Sequence, residues 1–395
     1  MTAVPRMPRA RALSWVLVGA LRAFACVPSV EVNETPCPCG DAYYCCPHTL
    51  RCVEHDDASC WSDGPLTRPR LVGRLRDAHD ARDVAVLAST LAVADGDNGL
   101  LLAELDVDGA PHTLSRAVTS APALGVALTA DTALVTVGAS GLQSFDLGDV
   151  AAPAVLWLTD TGDRAVRVTL AGSVAYVADD RAGVRIFDVS DRSGPRRLSI
   201  IASRGVTVRR EGVFISGARN TSIDNARLAI ADGDGGLHLV GVSEPAAPQH
   251  LARFPENRYD VIVDSRDVVT TGSLVWVADH SKGLVIVDAS NPVLPQQVGG
   301  YDEPCDAVAL FDGLAAIATT GGWVLLVDVA DVATPVLVSA YDAGDAIMSL
   351  RVFDGRLYVA ASSAGVHVLA ATGATSSGAD ALAPETAVRT GREIP

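Results

Sequence analysis

The chain has 395 residues, which allows two or three ordinary domains or one large repetitive one. Its formal net charge of −16 would repel phosphate backbones, so the composition argues against nucleic-acid binding. Aromatic residues make up only 5% of the chain, while 35 glycines and 21 prolines indicate many turns. This balance favours strands packed through small and β-branched side chains.

Residues 1–25 have the pattern of an export signal peptide. An Arg-bearing start, RMPRAR, precedes the short apolar stretch ALSWVLVGAL and the tripeptide AFA. The small residues Ala23 and Ala25 suit cleavage directly before Cys26. The apolar stretch is about ten residues long, too short to span a bilayer. The sequence therefore predicts a protein that leaves the cytoplasm.

Cys26 would become the new N-terminus, and it resembles the lipid-modified cysteine of bacterial lipoproteins. The lipoprotein box has Leu or a similar residue where this chain has Ala23, and a small residue where it has Phe24. Lipid attachment, simple secretion and a disulfide role for Cys26 all stay open. A lipid anchor at Cys26 is the only membrane contact that the sequence predicts.

Residues 26–66 comprise a cysteine-rich segment and the start of a linker, the polar, proline-containing stretch SDGPLTRP at 62–69. So short a segment cannot bury enough apolar surface to fold unaided, and an oxidising compartment favours disulfides over a zinc site. Three bridges are expected, with 15 possible pairings. The six cysteines are Cys37, Cys39, Cys45, Cys46, Cys52 and Cys60.

The stretch KGLVIVD at 282–288 is repeated along the rest of the chain. Gly99 and Gly141 begin two copies and lie 42 residues apart, the size of one four-stranded propeller blade. The other copies are NGLLLAE (98–104), SGLQSFD (140–146), AGVRIFD (182–188), GGLHLVG (235–241), GWVLLVD (322–328) and AGVHVLA (364–370). Short apolar runs bounded by Gly, Asp, Asn and Pro are typical of strands. The pattern predicts an all-β, seven-bladed β-propeller over residues 67–371, with a disordered tail at 372–395.

These copies resemble the LVIVD repeat of exported bacterial and archaeal proteins, a unit taken to form β-propellers. The resemblance implies a propeller scaffold and no agreed biochemical activity. The cysteine-rich segment behind Cys26 also resembles the start of myxobacterial outer-membrane lipoproteins. Together they imply an exported protein at the outer membrane or cell surface, or a secreted one.

The two ends of the repeat region are expected to close the ring together. The last copy lacks an outer strand, while PRLVGRLRDAHDARDVAV (69–86) matches PQQVGGYDEPCDAVAL (295–310), an outer strand that leads into the next blade. The sequence therefore predicts that Leu71–Leu75 pairs with the final blade and covers two exposed strand edges.

Two copies are longer than the period, and long loops on a rigid scaffold often carry binding residues. The extra residues are expected at 217–226 and around 255–272. The alternative is that they are tolerated surface elaborations. The candidates for a polar binding surface are Arg219, Asn220, Asp224, Asn225, Asn257, Arg258 and Tyr259.

Two Asp-rich stretches, ADGDNG (94–99) and ADGDGG (231–236), resemble fragments of calcium loops. They lack the Glu that completes an EF-hand loop, and the repeat itself needs a hairpin turn there, so hairpin chemistry is the favoured explanation. Weak calcium binding by Asp95, Asp97, Asp232 and Asp234 is the alternative. His238 and His367 are expected to be structural, and Cys305 to be a buried free thiol.

The sequence predicts a monomeric, non-enzymatic scaffold that binds a protein or a polysaccharide. It contains no HExxH, GxSxG or phosphate-loop motif. The alternative is a propeller hydrolase or lactonase with a metal ion in the central channel, since fold alone does not decide function. No cofactor is expected, although calcium is possible. The weak candidates for metal ligands are Asp83, Asp260, Asp306 and Asp345.

Overall fold

The computed structural model describes residues 69–201, 218–224, 226–255, 264–311 and 313–370, together with the backbone of 43–46 and 51–54. The chain divides into two compact units, Met1–Gly64 and Pro65–Pro395. In the first unit β1 (Tyr43–Cys46) and β2 (Arg51–Glu54) form an antiparallel hairpin with Cys45 opposite Cys52. The predictions for residues 1–25, Cys26, Cys37, Cys39, Cys60 and residues 372–395 lie outside the described residues.

The second unit contains seven four-stranded antiparallel sheets, which are the blades of a β-propeller. The predicted fold class is confirmed for this unit. β3 (Arg70–Leu75) comes first in the chain. In each blade the innermost strand is named first, and blades 1 to 3 are β4 (Asp83–Leu87), β5 (Thr90–Ala94), β6 (Leu100–Leu105) and β7 (Pro111–Ala117); β8 (Gly125–Leu128), β9 (Thr132–Thr136), β10 (Leu142–Asp146) and β11 (Ala154–Thr159); and β12 (Arg167–Ala171), β13 (Val174–Ala178), β14 (Val184–Asp188) and β15 (Arg196–Ile201). Blades 4 and 5 are β16 (Asn220–Asp224), β17 (Arg227–Ala231), β18 (Leu237–Gly241) and β19 (Gln249–Phe254); and β20 (Ser265–Thr271), β21 (Leu274–Asp279), β22 (Gly283–Asp288) and β23 (Gln296–Tyr301). Blades 6 and 7 are β24 (Cys305–Phe311), β25 (Leu314–Thr319), β26 (Trp323–Asp328) and β27 (Val336–Asp342); and β28 (Ser349–Phe353), β29 (Arg356–Ala360), β30 (Val366–Ala370) and β3.

The LVIVD-like run is the third strand of each blade, and the recurrent glycine before it makes the hairpin possible. Gly283 has a φ of 87°, and a Cβ there would overlap the carbonyl oxygen of Tyr301. A positive φ is strained for residues with a side chain, so glycine recurs for a backbone reason. Apolar side chains of neighbouring blades interleave, as with Ile186 of blade 3 and Leu228 of blade 4, and no blade could bury them alone.

The ring closes where the chain start meets the last blade. β3 pairs antiparallel with β30, with Leu71 opposite Leu369 and Leu75 opposite Val366. The innermost strand of blade 7 packs against that of blade 1. The predicted closure by Leu71–Leu75 is confirmed.

The insertion expected at 217–226 is wrong. Asn220–Asp224 is the innermost strand of blade 4 and pairs with β17 in regular register, Asn220 opposite Ala231. The extra length of the fourth repeat instead falls between the end of β15 at Ile201 and the start of β16. The Asn, Thr, Ser and Asp residues of Asn220–Asp224 favour turns locally, but the pairing of this strand with β17 overrides that preference.

Candidate functional site

The seven innermost strands begin at one face of the propeller, here called the front face, and end at the rear face. On each strand one position near the front face opposes Ala, or in blade 2 Thr136, on the second strand. Four of these seven positions carry a charged or amide side chain at the mouth of the channel. The positions are Asp83, Gly125, Arg167, Asn220, Asp267, Ala307 and Ser349.

Asp83 in blade 1 is fully buried and fully engaged. The Ser349 hydroxyl donates to its Oδ1 at 2.6 Å, and the Val126 N–H donates to its Oδ2 at 3.2 Å. Nη2 of Arg351 lies 3.2 Å from Oδ1, and Nε of Arg167 lies 3.8 Å from Oδ2. Burial alone would raise the pKa of Asp83, but these cations and donors outweigh it and lower that pKa. Asp83 is therefore an ionised carboxylate at neutral pH.

Arg167 reaches from blade 3 across the channel mouth. Its Nη2 donates to the carbonyls of Arg82 at 3.0 Å and Met348 at 2.8 Å, and its Nη1 donates to Leu124. These three residues stand directly before the innermost strands of blades 1, 7 and 2, respectively. The planar fork of the guanidinium suits several acceptors at once, which an ammonium could not match. One side chain thus ties four blades together.

Asp267 repeats the arrangement in blade 5. Its carboxylate accepts hydrogen bonds from the backbone N–H groups of Val268 at 2.8 Å and Val308 at 3.1 Å, and from the Asn220 side chain. As with Asp83 and Val126, a carboxylate of one blade holds the backbone of the next blade by a charge-assisted hydrogen bond. Two Asp and two Arg make this channel cluster electrically neutral, and their polar atoms are used to join blades. The cluster consists of Asp83, Arg167, Asn220, Asp267, Ser349 and Arg351.

Behind the channel cluster lies a cavity of about 390 Å³ lined by the innermost strands of six blades. Its lining is mainly Val, Ala and Leu, and its polar members are Thr169, Thr221, Ser222 and the channel-cluster residues Asn220 and Arg351. Thr169 donates to the Thr221 carbonyl at 2.8 Å, and Ser222 contacts Thr270 at 3.0 Å. These hydroxyls also connect blades, so the channel offers few unused polar groups to a substrate.

The structure separates the described candidates for metal ligands. Asp83 belongs to the channel cluster, while Asp306 lies 2.7 Å from Nδ1 of His280. Asp345 accepts hydrogen bonds from the Ser363 hydroxyl at 2.5 Å and the Ala346 N–H at 2.7 Å. Asp260 lies outside the described residues. Within the described ranges no three His, Cys, Asp or Glu side chains are placed to hold a metal ion.

The Asp-rich hairpins have buried and exposed members with different surroundings. Asp95 is buried and accepts from the His79 N–H at 2.8 Å, the Asp80 N–H at 2.6 Å and Arg116 at 2.5 Å. Asp232 is buried 3.2 Å from Nε2 of His238. Asp97 and Asp234 are exposed. Asp95 therefore joins its hairpin to residues 79–80 and to Arg116, and Asp232 lies against His238 on the third strand of its own blade.

His238 and His367 are both buried on the third strands of their blades, as expected of structural histidines. Nδ1 of His238 lies 3.1 Å from Nε2 of His250. Nδ1 of His367 lies 3.1 Å from the Tyr341 hydroxyl. Burial, helped by the charge of Arg74, lowers the pKa of His367 from 6.5 to about 4. His367 is therefore neutral at the ring closure.

The neutral state of His367 predicts a pH dependence. The unfolded chain binds a proton near pH 6.5 and the folded chain only near pH 4, so protonation favours unfolding in that window. The contribution of His367 is present above pH 6.5 and is lost as the pH falls towards 4. Urea titrations at about pH 7 and about pH 5 measure how far the free energy of unfolding falls on acidification. We expect this fall to be smaller for His367→Gln than for the native chain. His79→Gln, at an exposed position, is the control, and an unchanged pH dependence in His367→Gln would contradict the assignment.

The predicted binding residues fall into two groups. Asn220 is 6% exposed and belongs to the channel cluster, and Asp224 accepts the Gly272 N–H at 2.6 Å. Arg219 is partly buried beside them. Asn225, Asn257, Arg258 and Tyr259 lie outside the described residues. The structure thus places the described members on or next to an innermost strand.

The sequence pattern did not single out Arg167, Asp267 or Arg351. The signal was present, because a charged residue replaces Ala or another small residue at an aligned position of the innermost strand. It becomes visible only when the strands are aligned by their pairing register.

Cys305, predicted as a buried free thiol, is fully buried, and burial raises its pKa. Of the described residues, none forms a helix with the length and apolar character needed to cross a membrane.

Comparison with protein families identifies LVIVD repeats at residues 162–200, 228–254 and 263–303, which correspond to blades 3, 4 and 5. A comparison with curated proteins found no match. Among solved structures, the WD40 β-propeller domain of Doa1 has 12% identity and a TM-score of 0.60, over 78% of this chain and 98% of that one. The designed protein Ika8 has 10% identity and a TM-score of 0.53, over 76% and 100%. BamB from Moraxella catarrhalis has 12% identity and a TM-score of 0.49, over 74% and 84%, which is too low to carry an argument. The likenesses to Doa1 and Ika8 show the fold alone.

Proposed function

We propose that this propeller is a non-enzymatic, exported scaffold that binds a protein or a polysaccharide, either anchored through a lipidated Cys26 or secreted. The observation that supports it is the channel cluster. The polar atoms of Arg167 and Asp83 form hydrogen bonds and ion pairs with other blades, so these side chains at the channel mouth stabilise the ring. Binding then falls to the surfaces around the ring.

The front face around blade 4 is the best candidate for that contact. The connection from β15 to β16 and the connection from β19 to β20 are the two longest from one blade to the next, and both join strand ends that lie at this face. Loops on a rigid scaffold can diversify without cost to the core. The second connection carries Asn257, Arg258 and Tyr259, and Tyr and Arg are enriched at protein interfaces.

The test measures binding of the full chain to isolated cell-envelope proteins by photo-crosslinking and to polysaccharides on a glycan array. We expect the triple variant Asn257→Ala, Arg258→Ala, Tyr259→Ala to lose at least about tenfold in affinity. The matched control changes Asn291, Val293 and Leu294 to Ala in a rear-face turn of blade 5 and should bind normally. Equal binding by both variants would refute the front-face assignment. Calcium-dependent turnover of a lactone panel would instead favour the hydrolase alternative.

A further inference from the structure

The interface between blades 2 and 3 differs from the other six interfaces at one cross-strand pair. The third residue after the hairpin glycine, or in blade 6 after Trp323 at the equivalent position, is large and apolar in six blades, and it is Ser144 in blade 2. Its partner on the fourth strand is small in six blades, and it is Trp157 in blade 2. The six other pairs are Leu102 and Ser115, Ile186 and Ser199, Leu239 and Ala252, Ile286 and Gly299, Leu326 and Ser339, and Val368 and Gly73.

The small residue normally lets the next blade approach closely. The Ser115 hydroxyl donates to the carbonyl of Val150 at 2.5 Å, in the turn between the third and fourth strands of the following blade. The Ser199 hydroxyl donates to the carbonyl of Pro245 at 2.6 Å in the same way. At Gly299 a Cβ would overlap the carbonyl oxygen of Val332. Trp157 is too large to allow this backbone approach, and the turn of blade 3 instead reaches blade 2 through the side chain of Arg192.

The exchange leaves a cavity of about 320 Å³ at the rear face between blades 2 and 3. Its floor is formed by Leu134, Ser144 and Trp157 of blade 2. Ser144 is 1% exposed and stands where the other blades place Leu, Ile or Val, so the large side chain of this pair is the one on the fourth strand, Trp157. The cavity is open to solvent, since the side chains of Arg192 and Asp131 on its rim are 42% and 55% exposed.

The rim of the cavity is polar and held in place. Arg192 of blade 3 forms ion pairs with Asp131 and, at 2.6 Å between Nη2 and Oδ1, with Asp146 of blade 2. The Thr129 and Thr132 hydroxyls lie 2.6 Å apart on the same rim. The indole of Trp157 lies within a rim of hydroxyls and charged groups. A ligand would therefore meet one apolar face and several hydrogen-bond partners.

We propose that this cavity binds one or two units of a neutral saccharide. A sugar ring presents an apolar C–H face that suits Trp157 and hydroxyls that suit Thr129 and Thr132. The single cation, Arg192, is already paired with two carboxylates, so the rim does not favour a phosphate or sulfate. The volume lies at the lower end for small-ligand sites, which limits the occupant to a small unit. The site is on the face opposite the proposed front-face contact and does not depend on it.

The experiment titrates the full chain with cellobiose, chitobiose, laminaribiose and methyl α-mannoside, followed by tryptophan fluorescence and by saturation-transfer NMR. We expect one of these sugars to bind with millimolar affinity or better and to perturb Trp157. The double variant Ser144→Leu, Trp157→Ser restores the pair found in the other six blades and should weaken binding by at least about tenfold. The matched control, Ser199→Ala, changes the equivalent outer position of blade 3 and should bind like the native chain.

A second variant covers the case in which the double variant does not fold. Trp157→Phe keeps an aromatic face of smaller area and should weaken binding without abolishing it. Unchanged affinity in these variants, or saturation by indole but by none of the four sugars, would overturn the proposal. Loss of front-face binding in the triple loop variant, with sugar binding retained here, would show that the two sites are separate.

Discussion

Replacing Arg167 with methionine is expected to lower the free energy of unfolding by about 3–5 kcal/mol, the usual cost of breaking a buried charge pair from one side. Asp83 would remain fully buried and would keep only Arg351 as a cationic neighbour. The carbonyls of Arg82 and Met348 would lose their donor as well. Urea unfolding of the full chain at neutral pH, followed by circular dichroism, measures the change.

Two comparisons separate geometry from charge in this prediction. Arg167→Lys keeps the charge but not the planar fork, so its stability should fall between that of the native chain and that of Arg167→Met. Arg196→Met removes an ion pair with Asp188 whose Arg side chain is 73% exposed, and it should change stability little. If Arg167→Lys is as stable as the native chain, charge alone holds the channel cluster and the bonds to three blades are unimportant.

Much of the fold was predictable because strand pattern and repeat period are local properties of a sequence. The glycine before each LVIVD-like run, as at Gly283, marks a hairpin that the backbone needs. The match of PRLVGRLRDAHDARDVAV to an internal outer strand predicted the pairing of β3 with β30, since an unpaired edge has to be covered. The misplaced insertion shows the limit. Asn220–Asp224 is polar enough to read as a loop, and only its pairing with β17 makes it a strand.

The channel cluster was only half predictable, because its members meet through the closure of the ring. Asp83 stood out as an acid at the start of an innermost strand, which suggested a metal ligand. Its counter-charges come from blades 3 and 7 and have no sequence proximity to it. Arg167 and Arg351 supply the positive charge that a metal ion would otherwise bring. A strand pattern places residues on faces, but which blades face each other across a channel depends on the number of blades.

Removing residues 1–75 is expected to abolish cooperative unfolding of the propeller and to produce soluble aggregates. The deletion removes β3, so the edge of β30 loses its partner and exposes a full row of backbone hydrogen-bonding groups. It also removes Leu75, which is 3% exposed and packs with Val366, Val368 and Tyr358. Light scattering after gel filtration and a thermal melt measure the two effects.

Removing residues 1–67 is the matched control, because it takes away the first compact unit and leaves Arg70–Leu75 in place. This shorter deletion should remain monomeric and should melt cooperatively. A synthetic peptide of residues 68–76, added in trans to the longer deletion, should restore part of the transition by strand addition, and a scrambled peptide should not. A longer deletion that stays monomeric and melts like the control would mean that the six other blades hold the ring without β3. The edge of β30 would then have to be covered by something other than the start of the propeller chain.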